Sequence, residues 1–316
     1  MSKVKIFISY KNKNELLKSD ILVPIQTGRA ISDEVFDHMI GDDTGDNISE
    51  RNPRYNELTA QYWVWKHYQE IGNPDYVGFM HYRRQFIFDK ELKHTQYTWV
   101  PKSKQYYVNS IYDGYEKHFS KEKIMYKFAD GTDCITYKKF NIRPRFVGHN
   151  MEEYFVKGLE QQKIETFRIF EQIIKEYYKD YIDTFDEFKK GHHMYYCNSF
   201  VMKKELFFEY NEFLFGILAK VDELINSSDF NEKENRFLGF LGEYIFTIFM
   251  FQKLKNQSFK LKELPGTFVS DYYKQLEFKK KKYRILMSIT FGKKRRYYMK
   301  KYIKNNMHYV KNTRKS

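Results

Sequence analysis

Residues 56–84 read NELTAQYWVWKHYQEIGNPDYVGFMHYRR and contain, in order, a helix pattern, a turn and a strand pattern. Large apolar side chains recur at helical spacing in the first half, at Leu58, Tyr62, Trp65 and Tyr68, which predicts an amphipathic helix over 56–71. Turn-forming residues over 72–75 end that helix, and an apolar run over 76–80 follows as a short strand. This alternation predicts an α/β fold with functional residues at strand ends.

The same patterns predict the elements on either side of this stretch. Strands are expected over 4–9, 21–26 and 195–202, and helices over 150–180, 204–225 and 236–251. Asn150 and Glu153 form a capping-box-like start for the first of these helices. The apolar run 237–251 is interrupted by Glu243 and is shorter than a bilayer span, so it predicts a buried helix. Loops that cover a site are expected in the irregular, Tyr- and Lys-rich segment 86–145.

The positive charge of the chain is concentrated at its C-terminal end. The net charge is +14, from 55 Lys and Arg against 41 Asp and Glu. Residues 278–316 hold 15 of the basic residues and no acidic one, so residues 1–277 are almost neutral. A nucleic-acid-binding protein more often carries its basic stripe on the folded domain. The distribution therefore predicts a main domain over 1–265 followed by a basic, helical tail over 266–316.

Several classes of protein lack support in this sequence. Two cysteines, Cys134 and Cys197, do not form a disulfide framework, and the N-terminus has no long apolar run of the kind that a signal peptide contains. The glycine-rich signatures of dehydrogenases and P-loop enzymes do not occur, nor do the serine-hydrolase and zinc-protease motifs. No Asp-x-Asp triplet occurs either, although many sugar transferases hold Mn²⁺ or Mg²⁺ with one.

Three groups of polar residues could carry chemistry. The acidic loop, residues 41–49, holds Asp42, Asp43 and Asp46, and is interpreted either as a cation loop or as a turn with acids on its outside. Asn56 and Thr59 stand near a helix start, where free backbone N–H groups favour an anion; a polar cap on an aromatic core helix is the alternative.

The third group follows the predicted strand 76–80. His81, Arg83 and Arg84 place hydrogen-bond donors at its carboxyl end, where ligands bind in open α/β sheets. Paired guanidinium groups suit phosphate, and a surface salt-bridge cluster is the alternative. Glu243 stands in an otherwise apolar helix, where burial of an unpaired carboxylate is unfavourable. It therefore has either a functional role or a structural partner such as Arg236.

Five stretches of the sequence together resemble the bacterial domain-of-unknown-function family 4422, which occurs in capsular and surface polysaccharide gene clusters and is classed with glycosyltransferases. The stretches run in order between Lys3 and Phe251 and are GDDTGDNIS (41–49), NELT with YW and WK (56–66), GFMHYRR (78–84), YCNSFVMKKELF (196–207) and RFLGFLGE (236–243). Family members often have His-Lys where Tyr10-Lys11 stands and Ser where Gly242 stands.

The resemblance implies a GT-A-like, Rossmann-type glycosyltransferase domain over 1–265, a hexosyltransferase using a nucleotide sugar, with galactofuranose as one possible sugar. The chemistry of the matched residues suggests Glu243 and His81 as catalytic residues, with Glu243 as general base; a structural carboxylate paired with Arg236 or another cation is the alternative for Glu243. The same chemistry suggests Lys11 for the nucleotide, Arg83 and Arg84 for the diphosphate, and Asp42, Asp43 or Asn56 for the sugar hydroxyls. The other expected donor-binding residues come from the matched motifs: Glu57, Thr59, Trp65, Lys66, Asn198 and Arg236.

The expected partners are a nucleotide sugar donor, a glycan or lipid-linked glycan acceptor, and an anionic membrane surface contacted through residues 278–316. The expected location is cytoplasmic and peripheral, at the inner face of the cell membrane. No metal is expected, because Arg83 and Arg84 would replace its charge; a Mn²⁺ or Mg²⁺ site at Asp42, Asp43 and Asp46 is the alternative. Two other functions stay open: a nucleic-acid-binding protein that uses the basic aromatic tail, and a non-catalytic subunit of a polysaccharide assembly complex.

Overall fold

Strands and helices alternate along most of the chain. The computed structural model describes residues 3–12, 16–89, 118–142, 149–158, 162–269 and 282–301, and the backbone alone of 98–100 and 105–108. The strands are β1 (Val4–Tyr10), β2 (Leu22–Gln26), β3 (Ile40–Gly41), β4 (Tyr76–His81), β5 (Thr98–Val100), β6 (Gln105–Val108), β7 (Cys134–Tyr137), β8 (Phe140–Asn141), β9 (His193–Met194), β10 (Phe200–Lys203), β11 (Leu261–Leu264) and β12 (Gly266–Val269). The helices are α1 (Asn52–Tyr55), α2 (Leu58–Lys66), α3 (Lys121–Tyr126), α4 (Met151–Lys157), α5 (Ile164–Tyr177), α6 (Ile182–Lys190), α7 (Lys204–Leu224), α8 (Phe237–Leu254), α9 (282–288) and α10 (292–301).

A seven-stranded sheet in the order β3-β2-β1-β4-β10-β7-β11 forms the centre of the protein. Its neighbouring strands run parallel, except that β10 is antiparallel to both β4 and β7. The carboxyl ends of β1, β2, β4 and β7 and the amino end of β10 therefore meet at one edge. We call it the carboxyl edge: the residues that follow Tyr10, Gln26, Gly41, His81 and Tyr137, and those that precede Phe200.

Both faces of this sheet are buried, which explains the almost continuous apolar character of its central strands. Along β1, Phe7 packs into one core cluster, while Ile6 and Ile8 pack into a second cluster on the opposite face. Helix α8 is apolar all round because it lies within the first cluster. With the turn that precedes it, this helix spans Glu234–Leu254. Among the described residues it is the one helix that is long and apolar enough to span a bilayer, but 67% of its most apolar stretch is buried inside the fold.

Several predicted elements differ from the observed ones. The helix expected over 150–180 is two helices, α4 and α5, because Gly158 ends the first in an extended conformation. The strand expected over 195–202 begins only at Phe200, since Cys197 and Asn198 have positive φ angles and form a turn. The segment 86–145 is not all loop: it supplies β7, which lies between β10 and β11 and which its Tyr- and Lys-rich surroundings concealed.

A smaller sheet in the order β12-β6-β5 adjoins the carboxyl edge. The division of the chain after residue 265 stays a prediction, but β12, which that division assigns to the tail, pairs with β6 and is thus part of the folded body. Beyond it, α9 and α10 agree with the helical character expected of the basic tail.

Candidate active site at the carboxyl edge of the sheet

A tight turn ends β4 at the centre of the carboxyl edge. We call it the arginine turn, residues 81–84. The backbone N–H of Arg84 donates to the carbonyl of His81 at 2.8 Å, which closes the turn. The side-chain amide of the fully buried Gln85 donates to the carbonyls of His81 at 3.0 Å and Tyr82 at 2.6 Å. These bonds give the turn one defined backbone conformation.

Strand β12 fixes the same turn from outside. The backbone N–H groups of Thr267 and Val269 donate to the carbonyls of Gln85 and Arg83, each at 2.8 Å. The Arg84 guanidinium lies 5.0 Å from the centre of the Phe268 ring, a cation–π contact. Residues more than 180 positions downstream therefore hold the backbone of the arginine turn and contact the Arg84 side chain.

The imidazole of His81 lies among three guanidinium groups. Burial, together with the positive charges of Arg84, Arg83 and Arg236, lowers the pKa of His81 well below its usual range. The ring is therefore neutral near pH 7. Because the backbone N–H of Arg83 donates to Nδ1 at 3.2 Å, the ring proton belongs on Nε2, where it can be donated.

The arginines are half-buried, and both are charged. Burial lowers the pKa of Arg84, but Cys197, Tyr196 and Glu243 raise it by more, and the balance is a raised pKa. Glu243 is the carboxylic acid among these neighbours. Burial and the adjacent Arg84 and Arg236 lower the pKa of Arg83, yet a guanidinium stays protonated at physiological pH. The carboxyl edge thus concentrates positive charge.

Helix α8 holds the turn at residues 195–198 through groups spaced four residues apart. The hydroxyl of Thr247 accepts from the backbone N–H of Tyr195 at 3.0 Å, Oε1 of Glu243 accepts from that of Cys197 at 2.7 Å, and the Gly239 carbonyl accepts from the Asn198 amide at 3.0 Å. The spacing of four places all three groups on one face of α8.

The start of α2 is attached to the same helix. The side-chain amide of Asn198 donates to Oε1 of Glu57 at 2.9 Å, and Nε of Arg236 donates to Oδ1 of Asn56 at 2.8 Å. A Cβ atom on Gly239 would come within 2.0 Å of the Asn56 amide nitrogen, so this contact requires glycine. Asn56, Cys197 and Asn198 all have positive φ angles, a strained conformation that the surrounding contacts must maintain.

The structure thus brings together most of the site residues predicted around β4 and α8. His81, Arg83 and Arg84 form the arginine turn itself, and five more predicted residues gather beside it: Asn56, Glu57, Asn198, Arg236 and Glu243. Lys11 is exposed and follows β1, two residues after the position that pairs with His81. Asp75, the acid next to β4 in sequence, does not pair with an arginine of the turn, since it lies at the opposite end of β4 and accepts from the backbone N–H of Lys3 at 2.7 Å.

Three predicted donor-binding residues lie elsewhere. Thr59 is fully buried, and its hydroxyl donates to the Asn56 carbonyl at 3.0 Å. Trp65, near the far end of α2, stacks on Phe215 of α7 with ring centres 5.7 Å apart. The Lys66 ammonium lies 4.0 Å from the centre of the Trp65 ring. A role in donor binding stays a prediction for all three.

In the acidic loop, Asp42 is committed to internal contacts. It is fully buried, and its carboxylate accepts from the backbone N–H groups of Gly28 at 2.8 Å and Arg29 at 3.0 Å and from the Ser49 hydroxyl at 2.5 Å. These bonds tie the loop to the residues that follow β2. Asp42 therefore acts as a structural anchor.

The other two acids of the loop have separate partners. Asp43 lies 3.6 Å from Nε of Arg29, and Asp46 accepts from the Tyr62 hydroxyl at 2.9 Å. Among the residues that the structure describes, no group of three His, Cys, Asp or Glu side chains is placed to hold a metal ion. Asp42, Asp43 and Asp46 do not form a common ligand set in this conformation.

Sequence reasoning missed two residues that build the site. Gln85 begins an apolar run, Gln85-Phe86-Ile87-Phe88, and a polar side chain in such a run is a signal that could have found it. Cys197 lies near both arginines and has a φ of 73°, which no local pattern indicates.

Comparisons with known proteins identify a solved structure of similar fold and a family. The structure is similar to a solved apo structure of the bifunctional glycosyltransferase WbbM, with a TM-score of 0.76 and 34% sequence identity. The match covers 85% of this chain and 45% of the WbbM chain, so this chain spans less than half of that protein. No curated protein matches the sequence.

The similarity confirms the GT-A-like α/β fold predicted for the domain. A family model described as Domain of unknown function (DUF4422) matches residues 5–255, which include β2, β3, β4, β7, β10 and all but the first residue of β1, but neither β11 nor β12. The chain belongs to the DUF4422 family.

Proposed function

We propose that this chain is a glycosyltransferase that moves a hexose from a nucleoside diphosphate sugar to a glycan or lipid-linked glycan acceptor of a surface polysaccharide. The observation that carries this proposal is the convergence of Arg83, Arg84 and Arg236 on the neutral His81 at the carboxyl edge. Similarity to WbbM, a bifunctional glycosyltransferase, supports the reaction class. Galactofuranose is the candidate sugar suggested by the family resemblance.

The arginines suit the departure of a nucleoside diphosphate. Breaking the bond between the sugar and the diphosphate leaves negative charge on phosphate oxygens, and preorganised cations stabilise that charge as it develops. Arg83 and Arg84 would contact the diphosphate, and the Nε2 proton of His81 would supply a further hydrogen bond. The fixed backbone of the arginine turn means that little reorganisation is needed during the reaction.

Glu243 is the proposed general base for the acceptor hydroxyl. Its Oε1 accepts from the Cys197 N–H at 2.7 Å, and its carboxylate lies close enough to Arg84 to stabilise the charge of that guanidinium. A positioning role, in which Glu243 only holds the turn at 195–198, is the rival assignment. Glu57 and Asn198, which are bonded to each other, would contact the donor sugar, and Lys11 the nucleotide.

The transfer is proposed to need no divalent metal, because three guanidinium groups supply the positive charge. The internal bonds of Asp42 support this, since a metal at the acidic loop would have to displace them. Transfer is expected to continue in excess EDTA. Loss of transfer in EDTA, with recovery on addition of Mn²⁺ or Mg²⁺, would overturn this part of the proposal.

A thermal-shift screen against nucleoside diphosphates and their sugars tests the function itself. A ligand that binds the native state raises stability by RT ln(1 + [L]/Kd), so a donor should raise the melting temperature more than nucleoside monophosphates do. The sugar nucleotide found in this way is then incubated with candidate acceptors. Absence of any shift across the screen, with the parent protein folded, would contradict the proposal.

A further inference from the structure

Beyond β12, the described residues of the tail form a helical hairpin. We call it the tail hairpin, residues 282–301. Helix α9 and helix α10 are joined by Ile289, Thr290 and Phe291, and the Tyr283 and Tyr298 rings lie 6.3 Å apart between the two helices. Gly292, with a φ of +60°, allows the chain to reverse. The connection therefore forms a tip at one end of a pair of packed helices.

This tip exposes apolar side chains. Phe291 is 82% exposed and Ile289 is 66% exposed, which are among the largest exposed fractions of any apolar residue in the described chain. Ile285, Tyr297 and Met299 are exposed as well. A group of exposed apolar side chains of this kind is typical of a surface that binds a membrane or another molecule.

Cations surround these apolar residues. Residues 282–301 contain eight Lys and Arg and no Asp or Glu, and Lys293, Lys294, Arg295 and Arg296 follow the tip directly. Clustered cations are attracted to anionic headgroups, and an apolar tip among them can enter the boundary between headgroups and acyl chains. A nucleic acid would satisfy the cations but would leave the aliphatic Ile289 in water.

We propose that the tail hairpin docks on an anionic lipid bilayer, with Ile289 and Phe291 inserted at the headgroup boundary and the cations of α9 and α10 on the lipid phosphates. This surface lies outside the proposed active site, so the proposal does not depend on the donor or the acceptor. It would hold the enzyme at a membrane whose lipid-linked glycans it could use.

Vesicle co-sedimentation of the full chain tests the charge contribution. Vesicles of phosphatidylcholine mixed with phosphatidylserine are compared with vesicles of phosphatidylcholine alone. The triple variant K293Q/K294Q/K300Q is expected to bind the anionic vesicles about 100-fold more weakly, since each lysine near a membrane changes partitioning by roughly fivefold. Its control, K18Q/K179Q/K190Q, removes the same charge from exposed lysines of the body and is expected to bind within about twofold of the parent.

A second pair of variants tests insertion of the tip. I289S/F291S is expected to weaken binding about tenfold, and the loss should persist at high salt, where headgroup attraction is screened. V35S/L224S, which changes two exposed apolar residues of the body, is the control. All four variants replace exposed side chains, and circular dichroism verifies their folding.

Three results would overturn the proposal. The parent could fail to sediment with anionic vesicles, the two lysine variants could lose binding equally, or both tip and control variants could bind like the parent. Polyuridylic acid is included as a competitor. If it binds the parent while anionic vesicles do not, the tail hairpin is a nucleic-acid surface instead.

Discussion

The acidic loop and the arginine turn both place charged residues at the carboxyl edge, yet their surroundings differ. In the acidic loop, the fold itself supplies the partners: Asp42 accepts three hydrogen bonds, and Asp46 accepts one from Tyr62. In the arginine turn, the hydrogen bonds from Gln85 go to backbone carbonyls. The guanidinium groups of Arg83, Arg84 and Arg236 lie near the neutral imidazole of His81.

This difference explains why two similar-looking groups have different roles. A charged side chain whose hydrogen bonds are satisfied internally contributes to stability and has little capacity left for a ligand. In the arginine turn, Arg84 and Arg236 lower the pKa of Arg83, which is a sign of repulsion between like charges, and a ligand of opposite charge would relieve it. We therefore propose that the acidic loop serves stability and that the arginine turn binds the donor.

The largest expected effect is on the arginine turn. R84Q should reduce kcat/KM for transfer about 1000-fold and weaken the donor-induced thermal shift, because it removes a preorganised cation from the leaving group. The matched control is R54Q, which removes a partly exposed guanidinium paired with Asp222. Equal transfer by R84Q and the parent would contradict the assignment.

The acidic loop should respond in stability. D42A leaves the N–H groups of Gly28 and Arg29 without their acceptor, so the free energy of unfolding should fall by about 3 kcal/mol. D46A removes a carboxylate on the exposed side of the loop and should cost at most about 1 kcal/mol. Urea unfolding measures both. A D42A protein with parental stability and no transfer would move the active site to the acidic loop.

Glu243 combines features of the acidic loop and of the arginine turn. It accepts a hydrogen bond from the backbone N–H of Cys197, as Asp42 does from those of Gly28 and Arg29, and it also neighbours Arg84. E243Q keeps an oxygen that can accept from the Cys197 N–H but cannot act as a base, and should lower kcat about 100-fold with donor binding retained. E243A removes the acceptor too and should also lose stability. If E243Q transfers at the parental rate and E243A does not, Glu243 is a positioning residue.

The smallest effect concerns pH. The pKa of His81 is lower in the folded protein than in the unfolded chain, so the unfolded chain binds more protons once the pH falls below about 6.5. Stability should therefore decrease as the pH falls from 7.5 to 5.5, with a contribution from His81 of at most about 1.4 kcal/mol per pH unit. Urea unfolding of H81Q at both values should show a shallower dependence than the parent. An unchanged slope would mean that His81 is not desolvated as described.

Patterns within the sequence were sufficient for the α/β class and for the main helices. The helix patterns over 204–225 and 236–251 correspond to α7 and α8, and the strands over 4–9 and 21–26 to β1 and β2. The prediction failed at positions that depend on distant contacts. Residues 195–199 have strand-like composition, but α8 bonds them into a turn, and the short strand β7 carries no periodic signal of its own.

The sequence by itself determined which residues could carry charge at the ends of strands, because side-chain periodicity follows from the backbone geometry of one element. Only the tertiary structure decided which of those charges the protein neutralises. Asp42 meets Ser49 within its own loop, whereas Arg236 reaches Asn56 across 180 residues and β12 aligns the arginine turn from a similar separation. Electrostatic and hydrogen-bond energies depend on distances in space, and the positions of the arginines along the chain do not specify those distances.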